Sequence, residues 1–121
     1  MDRDLSINAS VEEESDELEI WPPPEAQVRS ALWRAEGHIE RGEYVQAART
    51  LDEALRHASD PGVLRGLRHL AAAGYRAREG DEMRARRQLD HARRRLAPYF
   101  PVYEEVELDS LIELVAADLE S

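Results

Sequence analysis

A chain of 121 residues in which 42% are hydrophobic carries enough apolar material for one packed core, so it reads as a single folded domain and not as a disordered segment. The absence of cysteine removes disulfides, thiolate metal sites and thiol nucleophiles together. No apolar run approaches the ~20 residues of a membrane-spanning helix, and the N-terminus lacks the basic and apolar regions of a secretory signal, which together point to the cytoplasm and to no membrane partner.

The net charge of −10 is laid out unevenly: −8 over residues 1–25, +5 over 26–100 and −7 over 101–121, with arginine as the only basic residue. A coding bias combined with life in high salt would give this layout. So would acidic ends that fold back over a basic body, or a basic body that meets an anionic partner.

Taken in chain order, residues 1–21 read as an acidic, flexible N-terminal segment ending in the alternating Leu18-Glu19-Ile20-Trp21. Pro22-Pro23-Pro24 stiffens the chain, and a helical domain over 22–121 follows, its first helix opening at Pro24-Glu25 because proline suits a first helical turn. Val28, Leu32, Ala35 and Ile39 form the apolar stripe of that helix, which stops at Gly42. A second helix presents Tyr44, Ala47, Leu51, Ala54 and Ala58 on one face. Asp60-Pro61 opens a third, with the stripe Leu64, Leu67, Leu70, Ala71, Gly74 and Tyr75. Its Ala71-Ala72-Ala73-Gly74 run has so little bulk that a neighbouring helix can come close.

Gly80 ends the third helix, and Asp81 caps a fourth with Ala85, Leu89, Ala92 and Leu96 inward. Pro98 closes it, and Pro98-Tyr99-Phe100-Pro101 reads as a rigid aromatic turn. The last helix is expected from Leu108 to about Leu119, capped by Asp109 or Ser110, since Ser110 and Glu113 have capping-box spacing. The second and fourth helices look like copies: Gly42/Gly80, Ala47/Ala85, Leu51/Leu89 and Ala54/Ala92 pair at an offset of 38. A glycine stop followed by small, large and small positions resembles the second helix of a tetratricopeptide repeat. The expected fold is therefore all-α, a compact bundle of about five helices with two stacked tetratricopeptide-like hairpins and a C-terminal helix.

Tests for chemistry come back thin. Glu53 and His57, at helical i,i+4 spacing, are the only ligand-like pair on the second helix, and no third ligand joins them, so neither a metal nor any other cofactor is implied. Ser59 and Thr50 flank His57 without a strained turn or an oxyanion loop, so no residue is assigned a catalytic role. The fourth helix is rich in arginine, with Arg84, Arg87, His91, Arg94 and Arg95 near one face. Such a face can track phosphates, yet a protein of net charge −10 repels nucleic acid at long range.

Three ordered segments carry a family resemblance. They are the run Leu64 to Tyr75, which follows the pattern L-x-G-L-x-x-x-A-A-A-x-Y, the turn Gly80-Asp81, and Leu96-Ala97-Pro98-Tyr99-Phe100-Pro101-Val102-Tyr103. From Leu32 to Leu114 the chain resembles the domain-of-unknown-function family three-oh-nine, and the resemblance implies a compact helical bundle. That family's polar signature is not retained: its histidine falls on Ala48, the neighbouring glutamate on Arg49, the later acid on Asp52 and the tryptophan on Leu55. Its glutamine falls on His69, and its histidine after the tyrosine on Arg76. Alanine can neither ligate a metal nor move a proton, as an imidazole can.

Two functions follow as expectations. The first is a non-enzymatic interaction or structural module that binds a protein partner or a second copy, with Trp21, Trp33, Arg87 and Arg94 as candidate contacts. The second is a small-ligand or residual enzyme pocket around Tyr44, His69, Tyr75 and Tyr103. Weak nucleic-acid binding through the arginine-rich helix is a further, less favoured alternative.

Overall fold

A computed structural model describes residues 23–120. The expectations for Trp21 and the Leu18–Trp21 stretch lie outside the described residues. The chain forms α1 (Pro24–Glu40), α2 (Tyr44–Leu55), α3 (Gly62–Arg78) and α4 (Glu82–Leu96). A 3-10 turn (Ala97–Tyr99), two short strands, β1 (Val102–Tyr103) and β2 (Val106–Glu107), and α5 (Leu108–Glu120) complete it. The fold is compact and all-α, with α1–α2 and α3–α4 as antiparallel hairpins and α5 laid across α3, α4 and α1.

The apolar spacing explains each element. Ala31, Leu32, Ala35 and Ile39 bury the inner face of α1, and Tyr44, Ala47, Leu51 and Ala54 that of α2. Gly42 (φ 75°) and Gly80 (φ 83°) make the reversals of the two hairpins in left-handed backbone that other residues adopt at a cost. At the start of α4 the Asp81 carboxylate accepts the Arg84 amide at 3.2 Å, the cap its position predicts. At the start of α3, Asp60 Oδ1 accepts the Gly62 amide at 3.3 Å.

Helix α3 sits at the centre, in contact with α2, α4 and α5. Val63, Leu64, Leu67 and Leu70 are fully enclosed, and Gly66, Ala71, Ala73 and Gly74 let neighbours approach its backbone. A Cβ on Gly66 would meet Leu96 of α4, and one on Gly74 would meet the ring of Tyr44 from α2. The small-residue run is thus a contact surface, as its lack of bulk predicts.

Four local expectations need correction. Helix α2 ends at Leu55, short of Ala58, because Arg56 and His57 donate their amides to Glu53 and Ala54 in a tightened last turn. Tyr75 is on the outer side of α3 and exposed, one residue beyond the buried Gly74. The segment after the aromatic turn is a β-hairpin, with Val102 opposite Glu107 and Tyr103 opposite Val106. This hairpin starts α5 at Leu108, whose amide donates to the Pro101 carbonyl at 2.9 Å, so Ser110 lies inside the helix and the Ser110–Glu113 box does not form. Ser110 instead donates its amide to Asp109 Oδ1 at 2.9 Å.

Two consequences are measurable. Gly74→Leu drives a side chain into the Tyr44 ring and is expected to destabilise by about 1–3 kcal/mol in urea unfolding. The hairpin turn holds Glu104 (φ 49°) and Glu105 (φ 69°) in the left-handed region, where asparagine and glycine sit with less strain. The double substitution Glu104→Asn, Glu105→Gly is therefore expected to raise stability by about 1 kcal/mol, read as a higher urea midpoint.

Candidate functional site

The small residues that let α2 and α3 pack closely also leave a groove on their outer side, with a volume of about 490 Å³. Its floor is Ala48 from α2 with Ala71 and Ala72 from α3, and Tyr44, Val45 and Tyr75 wall one end. Arg49, Arg68, Arg76 and Asp52 line it with charge, and Gln88 reaches in from α4. Ala48, the position where the family resemblance places a histidine, contributes only a methyl group to the lining.

The rim is positive. Arg68 Nε meets Asp52 Oδ1 at 3.0 Å, and Arg76 Nη1 meets Glu79 Oε1 at 3.6 Å. Arg49 has no ion pair among the described residues. Two of the three guanidiniums are thus paired and Arg49 supplies the net positive charge over an apolar floor, an arrangement that can take an anionic ligand with an apolar part.

The four residues expected to share one pocket are only partly brought together. Tyr44 and Tyr75 line this groove. His69 is joined to it indirectly, its Nδ1 lying 2.7 Å from Oε1 of the lining Gln88. Tyr103 is elsewhere: the β-hairpin carries it to a second groove of about 410 Å³, beside Val28 and Leu32 of α1 and His57 and Ala58 of the α2–α3 loop. There its ring packs edge-on against Tyr99 at 5.2 Å, and Tyr99 in turn donates to Asp60 at 3.4 Å.

Tyr44 is nearly enclosed at 4% exposure, and its hydroxyl donates to Asp118 Oδ2 at 2.7 Å while the Arg78 guanidinium lies 5.2 Å over its ring. Burial, then the hydrogen bond and charge of Asp118, push the phenol well above the ordinary tyrosine range. The proton is held by a structural contact, so Tyr44 serves as wall and anchor. Exposed Tyr75 is raised as well, chiefly by its hydrogen bond to Glu79.

The candidate contact residues separate into two kinds. Trp33 is 44% exposed, and its indole N–H donates to the Glu104 carbonyl at 2.8 Å, so it pins the β-hairpin against α1. On α4, Arg84, Arg86 and Arg93 each pair with an acid within one turn: Asp81, Glu82 and Asp90. Arg87 and Arg94 have no carboxylate partner among the described residues, and Arg94 Nη2 instead donates to His91 Nδ1 at 3.0 Å. Glu53 and His57 do not act as a helical pair, because His57 lies past the end of α2 and Glu53 pairs with Arg56 at 3.5 Å.

Among the described residues no three His, Asp or Glu side chains converge as a metal site. Sequence reasoning missed the roles of Gln88 and Asp118, whose partners lie 19 and 74 residues away in the chain. No local spacing could signal either contact. Compared with protein-family models, with curated proteins and with solved structures, the chain finds no match in any of the three.

The Tyr44–Asp118 contact can be tested by Tyr44→Phe, which keeps the packing but leaves Asp118 with Arg78 at 3.4 Å. A loss of about 0.5–1.5 kcal/mol is expected at neutral pH. Because folding raises the Tyr44 pKa, its contribution is complete below the unfolded tyrosine value of ~10 and declines as pH rises beyond it. Urea midpoints of wild type and variant should therefore converge on the alkaline side.

Proposed function

We propose that this protein is a non-enzymatic helical interaction module whose α2–α4 groove receives an acidic, apolar-anchored segment of a protein partner. The observation that carries this reading is the groove itself: Arg49, Arg68 and Arg76 stand around a floor of Ala48, Ala71 and Ala72. An extended segment would lay small apolar side chains on the alanines and place its carboxylates against the guanidiniums. Each such pair is a charge-assisted hydrogen bond of the stronger kind.

The likeness of α2 and α4 to helices of tetratricopeptide repeats supports the reading, since such hairpins offer concave faces to peptides. The resemblance to family three-oh-nine supports a compact bundle at this position in the chain and leaves the activity open. A residual enzyme pocket is less favoured, because the Tyr44 hydroxyl is bound to Asp118 and His69 Nδ1 faces Gln88, with no nucleophile in contact with either. Nucleic-acid binding is less favoured because half of the α4 arginines are engaged by acids of the same helix. Absence of cysteine fits a cytoplasmic setting.

The test is fluorescence anisotropy on the full chain with a labelled peptide in which glutamates flank leucine and phenylalanine, beside the same peptide with lysine for glutamate. The acidic peptide is expected to bind and the lysine peptide not, with affinity falling as salt rises. Arg49→Glu with Arg76→Glu is expected to weaken binding about tenfold or more at unchanged circular dichroism. Equal binding of both peptides, or of wild type and variant, overturns the reading.

A further inference from the structure

A second cationic feature lies on the α3–α4 face, outside the groove. The rings of His69 (α3) and His91 (α4) are 5.1 Å apart between centroids and tilted by 34°. Arg87, His91, Arg94 and Arg95 follow one another at +4, +3 and +1 on α4, so a single face of that helix carries all four. The charges acting on His91 are those of Arg94, His69, Arg95 and Arg87, all of the same sign, with no carboxylate among them. Asp90 next to it in the chain is turned to Arg93 at 4.0 Å.

This is unlike the rest of α4, where Arg84, Arg86 and Arg93 each meet an acid one turn away. Five cationic or protonatable groups gathered without a counter-charge among the described residues cost free energy that an anion would recover. A divalent metal ion is the wrong occupant: two imidazoles are too few ligands, and three guanidiniums repel it.

The hydrogen bonds also set the ring nitrogens. His91 Nδ1 accepts from Arg94, so the neutral ring carries its proton on Nε2 and can donate it. His69 Nδ1 faces Gln88 Oε1 at 2.7 Å and donates there, which leaves its Nε2 as the open nitrogen. The forked, always-charged guanidiniums of Arg87 and Arg94 match the oxygens of a phosphoryl group.

We propose that His69, His91, Arg87, Arg94 and Arg95 form a binding site for a phosphate dianion, either free or carried as a monoester on another molecule. The site does not depend on the groove, and it adds a ligand class that an acidic segment alone does not supply. Burial and the neighbouring positive charges hold His91 below the ordinary histidine range in the unliganded protein. A bound dianion opposes that field, so occupancy raises the His91 titration, and binding strengthens as pH falls until the phosphate itself protonates near ~6.

The chain has only four histidines, which makes the test direct. Full-length protein with labelled histidine is titrated with inorganic phosphate, and with sodium chloride at matched ionic strength, while the ring resonances are followed by NMR. His69→Gln and His91→Gln assign the signals. Phosphate is expected to shift the His69 and His91 resonances saturably and to raise the apparent His91 pKa by at least ~0.5 unit. His38, which is bound to Glu43 at 2.7 Å, and the exposed His57 serve as internal controls and stay unmoved. Arg87→Gln with Arg94→Gln should weaken the phosphate response about tenfold at unchanged helicity.

A phosphoserine peptide and its unphosphorylated form distinguish the sources. If the phosphopeptide saturates the same two histidines at lower concentration than inorganic phosphate, the monoester is the ligand. If inorganic phosphate does at least as well, the ligand is free phosphate. Equal shifts with chloride, or equal movement of all four histidines, would overturn the proposal.

Discussion

The structure depends on small residues at the points where other helices cross α3. Helix α3 is bordered by α2, α4 and α5, and it can hold all three at close range because Gly66 and Gly74 put backbone where a side chain would otherwise stand. Leu96 fills the space over Gly66 and the Tyr44 ring fills that over Gly74. Those two large residues fix how α4 and α2 sit on the central helix. Tyr44 then passes the constraint on: its hydroxyl holds Asp118 of α5, and Arg78 covers its ring. One small-residue surface therefore sets the hairpin packing, the seat of the closing helix and, through Ala71 and Ala72, the floor of the groove.

The helices were legible because their signals are local. Apolar spacing, Gly42 and Gly80 at the reversals and Asp81 at the cap act within a few residues, and the burial of Leu32, Leu51, Leu67, Leu89 and Leu111 follows from them. The β-hairpin was not legible, because its turn residues are Glu104 and Glu105, which carry none of the Asn-Gly signal of such turns. What holds that turn is a contact across the chain, the Trp33 indole on the Glu104 carbonyl. The start of α5 at Leu108 was legible, but its cap was not, since the Leu108 amide is taken by the Pro101 carbonyl across the unseen hairpin and Ser110 lies inside the helix.

The grouping of the candidate residues was not legible in the sequence. Tyr44 and Tyr75 were expected together and do line one groove, but Tyr103 follows the hairpin to another face. Among the arginines, sequence spacing identified the shared face of Arg87 and Arg94 on α4. It could not tell which arginines are neutralised, because Arg68 finds Asp52 across two helices while Arg49, three residues from that acid, has no ion pair among the described residues. Periodicity places a charge on a helix; tertiary packing decides whether an opposite charge reaches it.

That distinction bears on how a protein of net charge −10 could take the anionic ligands proposed above. Screening at physiological salt limits electrostatic reach to about 8 Å, so a short ligand responds to the charges beside it and hardly to the total. Around the groove those charges are Arg49, Arg68 and Arg76 against Asp52 and Glu79, and along the α3–α4 face they are arginines. Of the seven acids of the C-terminal region, Asp109, Glu113, Asp118 and Glu120 belong to α5, and Asp118 is itself engaged by Arg78 and Tyr44. A long polyanion such as a nucleic-acid duplex would extend many screening lengths beyond the arginines and meet the acidic parts of the surface. A compact anion, a phosphate or a few carboxylates on a short segment, would not. On the proposed reading, the uneven layout of charge would favour short anions over long ones.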